Sequence, residues 1–427
     1  MKVKLYLLIL TFIPSIAMAA LSPLENQIRD QVMKQQAAQL SLLKKLVNIN
    51  SGTMNIPGVM RVGEIVRAQL KSLGFKTRWI YETADLHRAP TLIAERQGTG
   101  NRLLLIGHLD TVFAANSPFK HFELQQHNAK GPGVIDDKGG IVVVLYALKS
   151  LRAVHALNNT SITIVLTGDE EDAGRPTSLS RKPLLAVAQR SDVALDVEPT
   201  ITLETATVAR RGISQWTIES HGNESHSATI FQQDVGDGAI FELSRILNTL
   251  RTQLEYEPNL SFNPGMVGGG TLMQYDNKTA QGIVFGKQNV VAKIALAKGD
   301  VRFIDDHQKV AFKTTLTGIV NQHLPGTAST VTFEDGAPAM MATENNLKLL
   351  EKYSEVSLDL HQGPIKPYDP AKRGAADISY CASLVPANLS GLGPMGWGAH
   401  SVNEGIELNS LPIQTERLAI LIYRLTH

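Results

Sequence analysis

Three short apolar runs, each ending abruptly in histidine or acid, constrain this chain more than any other feature of its sequence. Residues 103–106 are Leu-Leu-Leu-Ile and run into Gly107-His108-Leu109-Asp110-Thr111. Residues 161–167 run into Gly168-Asp169-Glu170-Glu171-Asp172, and residues 193–197 into Glu198-Pro199-Thr200. Continuous apolar runs of this length read as strands covered on both faces. Between the first two, residues 141–151 follow Gly139-Gly140 and read as a buried helix, although the β-branched residues 141–144 are also compatible with a strand. Residues 60–73 have helical spacing at Val62, Ile65, Val66, Leu70 and Leu73, with Gly74 placed to end the helix. Strands alternating with helices predict an α/β fold built on a doubly wound mixed sheet.

Near residue 208 the pattern changes. Residues 208–220 alternate like a strand with one wet face, and residues 237–251 look helical. A turn is expected at Gly268-Gly269-Gly270, then strands near 289–296 and 299–304, then a helix from Asp305-Asp306. That order is an α+β unit, β-α-β-β-α-β in outline, inserted into the α/β domain. The expected divisions are 20–207 and 321–427 for the α/β domain and 208–320 for the insertion. Lys2 and Lys4, the apolar stretch 5–16 and Ala17-Met18-Ala19 read as a signal peptide over 1–19. That stretch is too short to span a bilayer, which needs about 20 residues. Export to the periplasm or medium, with no membrane attachment after cleavage, is therefore expected. A balance of 41 basic against 40 acidic residues gives no footprint for nucleic acid. Cys381 is the single cysteine, so stability must come from core and metal rather than disulfides.

The chemistry-bearing segments sit at the strand ends, where ligands lie in open α/β sheets. His108 falls there, and Asp110 is placed to hold its second ring nitrogen; taken alone, the H-x-D pattern is weak and favours a satisfied loop histidine. Asp136-Asp137 stand between Gly131-Pro132-Gly133 and a helix, so metal binding and helix capping both remain open. The four acids 169–172 repel one another unless a cation is near; the alternative is a solvated acidic loop. Glu198 follows the third strand, and His400 follows a glycine-rich stretch near the C-terminus. Nitrogen and oxygen donors without a thiolate suit zinc, with cobalt or manganese as substitutes.

These five segments, in this order, resemble the dinuclear zinc peptidase and aminoacylase family, and most of all its glutamate carboxypeptidase branch. The resemblance covers nearly the whole chain after residue 19. It implies a zinc-exopeptidase fold with a lid and dimerisation domain, two zinc ions per chain and a homodimer. His108 and Glu198 would hold one ion, Glu171 and His400 the other, and Asp136 would bridge them. Glu170 would be the general base and Asp110 the acid behind His108. The Asp136-Asp137 peptide bond would be cis. His226, in Glu224-Ser225-His226-Ser227-Ala228, resembles the lid histidine that reaches a neighbouring active site and stabilises the oxyanion; it is otherwise a surface loop histidine. Asn263 and Arg302 match positions that hold the substrate carboxylate, although Arg302 is equally a structural ion pair. The chain departs from the glutamate-specific pattern at Ala337, where an arginine stands in that branch, and Arg373 is a candidate replacement. The implied activity is cleavage of an amide beside a free carboxylate, on a small peptide or an N-acyl amino acid. A catalytically silent binding protein on the same fold is the reading from another class.

Overall fold

The computed structural model describes residues 21–81, 84–277 and 279–427; the expected signal peptide lies outside them. A six-stranded sheet forms the centre of the α/β domain. Its spatial order is Lys76–Ile80, Thr91–Arg96, Thr160–Thr167, Thr99–His108, Val193–Asp196, Ala387–Leu389. The last four strands run parallel, and Thr91–Arg96 runs antiparallel to both of its neighbours, which makes the sheet mixed.

Both faces of this sheet are covered, which is why its strands read as unbroken apolar runs. Leu103 and Leu105 join the larger core, while Leu104 and Ile106 join the core on the other face. The helix Lys138–Ala153 packs against Ser410–Thr426 and is buried on nearly all sides. It is therefore apolar all round rather than amphipathic, and the ambiguity over residues 141–144 resolves as helix. Ser22 and Glu25 close a capping box at the start of the helix Pro23–Lys34: the Glu25 amide donates to the Ser22 hydroxyl, and the Ser22 amide donates to the Glu25 carboxylate.

The insertion is a four-stranded antiparallel sheet in the order Ser261–Gly270, Ile294–Phe303, Gly212–Gly222, Thr327–Asp335. The helices Gly238–Leu254 and Asp306–Val320 build a separate core with it around Trp216, Ile218, Leu243 and Phe312. Three expectations need correction. The two strands expected near 289–296 and 299–304 are one strand, Ile294–Phe303. Gly299 does not turn the chain; a Cβ there would stand 2.1 Å from the Asn263 carbonyl oxygen and 2.3 Å from the Trp216 ring. Gly268-Gly269-Gly270 are likewise the end of a strand, where a Cβ on Gly268 would meet Met273 of the hairpin Leu272–Asp276/Gln281–Phe285. Finally, the inserted sheet does not stop at 320. Thr327–Asp335 pairs with Gly212–Gly222 along its length. It is a half-exposed edge strand whose alternation is too weak to mark it in the sequence.

Candidate metal centre

The central strands are neighbours, so their carboxyl ends deliver three segments to one place. His108 is the last residue of its strand, Glu170 and Glu171 follow Thr167, and Glu198 follows Asp196. Asp136 arrives from the turn before the helix Lys138–Ala153. His400 comes from the connection between Gly393–Trp397 and Gly405–Glu407. The Asp136-Asp137 bond is cis. Asp137 occupies the cap position of its helix without a side-chain capping bond, so the capping alternative is not realised.

Asp136 stands between the two histidines. One carboxylate oxygen lies 3.0 Å from His108 Nε2, the other 3.1 Å from His400 Nε2. His108 Nε2 is also 3.6 Å from Glu198, and His400 Nε2 is 3.1 Å from Glu171. The donor atoms of His108, Glu170 and Glu198 all lie within 4.8 Å of one another, as do those of His108, Asp136 and Glu171. These groups can hold metal ions.

The surroundings fix this arrangement from behind. His108 Nδ1 lies 3.2 Å from the Asp110 carbonyl oxygen and 3.4 Å from its carboxylate. The buried Asp110 carboxylate also accepts from Thr53 Oγ1 at 2.6 Å and from the amides of Glu170 and Glu171 at 3.0 and 3.2 Å. One side chain therefore orients the histidine and pins the backbone of the acidic loop. Glu198 turns its other oxygen toward Arg210 at 3.5 Å and Arg373 at 3.9 Å. Arg373 is buried there and donates to the Pro199 carbonyl oxygen. It serves Glu198, while Ala337 lines a cavity of about 280 Å³ that opens beside Glu170 and Glu171.

The acidic loop is not balanced in the way its sequence suggests. Asp169 is paired with the buried Arg181 at 2.7 Å, and Arg181 also meets Asp377 at 2.6 Å. Asp172 is paired with Arg88 at 2.7 Å. Arginines thus neutralise the outer two acids, and only Glu170 and Glu171 face the cluster. There the negative charge is in surplus. Burial pushes the Glu170 carboxyl well above its ordinary pKa, and Glu198, Asp377 and Glu171 add to this against the opposing pull of His108. Burial alone would lower the His108 imidazole; Asp110 and Asp136 outweigh it and hold the ring well above its usual value. Hydrogen bonds to Asp136 and Glu171 raise His400 to about 11. Glu171 Oε1 and Asp137 Oδ1 are buried without a hydrogen-bond partner. Divalent cations fit this donor set, because they answer the surplus charge and engage the unpartnered oxygen of Glu171.

The other candidates lie in the insertion. His226 is exposed, and its Nδ1 accepts from the Ala228 amide at 3.2 Å. Arg302 donates to Asp300 at 2.9 Å, and Asp300 lies directly across the sheet from the exposed Asn263. The hydrogen bonds of the cluster involve none of these three. Sequence reasoning missed Thr53, Arg181, Arg210, Asp377 and Glu404. The first four act through partners remote in sequence, and no local pattern marks them. Glu404, four residues beyond His400, looks like any loop acid.

The description "Peptidase family M20/M25/M40" belongs to the family model that matches residues 104–424. Carboxypeptidase G2 of Pseudomonas sp. (strain RS-16) is 28% identical over 409 residues, covering 93% of this chain and 92% of that protein. A succinyl-diaminopimelate desuccinylase of Rickettsia bellii (strain OSU 85-389) is 27% identical over 385 residues, covering 86% and 92%. Among solved structures, aminopeptidase PepT of Bacillus cereus superposes with a TM-score of 0.71 at 15% identity, covering 91% of this chain and 98% of that one. The Bacillus subtilis YXEP protein, described as a dinuclear metal binding peptidase, superposes with a TM-score of 0.65 at 14% identity, covering 92% and 99%.

Proposed function

The chain belongs to the peptidase family M20/M25/M40 and is a metallopeptidase or amidohydrolase of that family; from this premise we propose that it is an exported two-zinc exopeptidase. Its substrate would be a small peptide or N-acyl amino acid, cut at the amide next to a free carboxylate, with a glutamate-carboxypeptidase-like specificity as the leading form. The observation that carries this reading is Asp136, with one oxygen on each of two imidazoles that have their own acidic partners. His108, Asp136 and Glu198 would hold one zinc; Asp136, Glu171 and His400 would hold the other. Cobalt or manganese would substitute. Bound there, paired divalent ions polarise the scissile carbonyl and lower the pKa of water toward neutrality.

The protein's own groups supply the rest. Glu170 borders the cavity and belongs to the cluster, so it takes the proton from the attacking water and returns it to the leaving amine. Asp110 holds His108 in place and fixes the backbone of Glu170. Asn263 and Arg302 would bind the substrate carboxylate, with Arg302 leaving Asp300 to do so. His226 is exposed and its Nδ1 caps a short turn through the Ala228 amide. It would donate to the oxyanion of a neighbouring subunit in a homodimer formed through the inserted domain.

A second reading, an N-acyl-amino-acid or dipeptide amidohydrolase, draws support from Ala337. A small apolar side chain in the cavity wall offers no bidentate partner to a substrate side-chain carboxylate. The approach of Arg373 to Glu198 at 3.9 Å argues for a role at that carboxylate rather than at the substrate. Assaying glutamyl conjugates, acylated amino acids and dipeptides side by side on zinc-loaded protein separates the two readings. A zinc-loaded protein that hydrolyses none of these substrates would defeat both and leave the silent binding protein, whereas full activity after chelation would remove the metal from the mechanism. Export to the periplasm or medium is supported by residues 1–19, and a mature protein beginning at Ala20 by mass spectrometry is the expected result.

A further inference from the structure

Glu404 is fully buried, and no part of the mechanism above uses it. Its carboxylate accepts three backbone hydrogen bonds from one loop: Gly133 N at 3.0 Å, Ile135 N at 2.9 Å and Asp136 N at 3.2 Å. Its carbonyl oxygen accepts a fourth, from Gly131 N at 3.3 Å. The same loop is gripped from the other side by the buried Lys138, whose ammonium donates to the carbonyl oxygens of Pro132 and Ile49 at 3.1 and 2.9 Å. Burying a carboxylate and an ammonium is expensive unless their hydrogen bonds are made. Here nearly all of them are spent on the segment that carries Asp136.

Glu404 also closes the turn that carries His400. Its amide donates to Ser401 at 3.0 Å, and the next residue, Gly405, starts a strand paired with Lys130. His400 itself is poorly fixed. Its side chain is 58% exposed and its backbone has a φ of +65°. His108 differs: it sits at 1% exposure at the end of a central strand, backed by Asp110. The two histidines that meet Asp136 thus depend on different supports.

We propose that Glu404 is a positioning residue that sets the distance between Asp136 and His400, and thereby the retention of the ion on the His400 side. This inference rests on the two-metal reading of the site. It says that the ion on the His400 side depends on Glu404 through both Asp136 and the His400 turn, whereas the other ion, which shares Asp136, is also held by His108 and Glu198 at strand ends.

The test is zinc titration of the apoprotein against a chromophoric chelator, which resolves two affinities in the wild type. Glu404→Gln places an amide NH₂ among backbone N–H donors and should loosen the clamp. The weaker zinc site is expected to lose about 10- to 100-fold in affinity, the size typical of groups that support a ligand from behind. The tighter site should stay within about twofold of wild type. In a His400→Ala background, Glu404→Gln should add little further loss, because both changes act on one ion. Should Glu404→Gln fail to fold, Glu404→Asp keeps the charge but withdraws it by one methylene, and the same one-sided loss is expected. Unchanged affinities, or a parallel loss at both sites with a lower melting temperature of the metal-free protein, would overturn the inference. A wild-type protein that binds fewer than two ions would instead defeat the two-metal reading, so the two failures are distinguishable.

Discussion

The two domains present their chemistry in opposite ways. In the α/β domain three of the candidate ligands, His108, Glu171 and Glu198, lie at or just beyond the ends of buried parallel strands. His108 and Asp110 are 1% and 0% exposed, and each polar group is held by another. In the insertion, His226 and Asn263 stand exposed on loop and edge strand, and Arg302 is half-buried against a single acid. A core that is covered on both faces fixes side chains before any ligand arrives. The inserted sheet is covered by helices on one face only, so its candidate groups are held by fewer neighbours.

Substitutions can break this contrast. The largest effect is expected in the α/β domain, where Glu170→Gln should lower kcat by up to about 10⁴-fold. Its zinc content by elemental analysis should remain near that of wild type; full residual turnover would remove Glu170 from the role of base. Next comes Arg181→Met, which leaves Asp169 and Asp377 buried without a cation. A loss of about 3–5 kcal/mol of stability is expected in urea denaturation, and a shift below 1 kcal/mol would mean that the acidic loop is balanced in some other way. In the insertion, His226→Ala should cost about 10²- to 10³-fold in kcat with unchanged melting behaviour. Mixing it with Glu170→Gln should restore part of the activity if the histidine serves a neighbouring subunit, whereas no recovery would confine it to its own. The smallest effect is expected from Arg302→Ala. The side chain is 37% exposed, so the loss should be about 1 kcal/mol, seen in KM rather than kcat. An equal fall in kcat would place Arg302 at the reacting bond instead of the substrate carboxylate.

The same contrast governs what was legible in the sequence. The strands Thr99–His108, Thr160–Thr167 and Val193–Asp196 announce themselves, because burial on both faces demands unbroken apolar runs. Their ends then point to His108, the pair Glu170-Glu171, and Glu198. The inserted sheet was read less well. One strand, Ile294–Phe303, was read as two, although its Gly299 only makes room for Trp216, and the edge strand Thr327–Asp335 resembled returning α/β chain. Both misreadings have one cause: the deciding contact is with a residue far away in the sequence.

Local pattern determined the architecture, an α/β sheet with an α+β insertion, and it named the segments that carry imidazole and carboxylate groups. Those are short-range properties, set by burial period and by the residue that follows a strand. Only the tertiary structure decided that Asp169 and Asp172 are neutralised by arginines while Glu170 and Glu171 are not. It alone put Asp136 between two histidines 292 residues apart, bound Arg373 to Glu198, and buried Glu404 under the loop it holds. The reason is physical: the charge state and partner of a buried group depend on everything packed around it, and that neighbourhood is drawn from the whole chain.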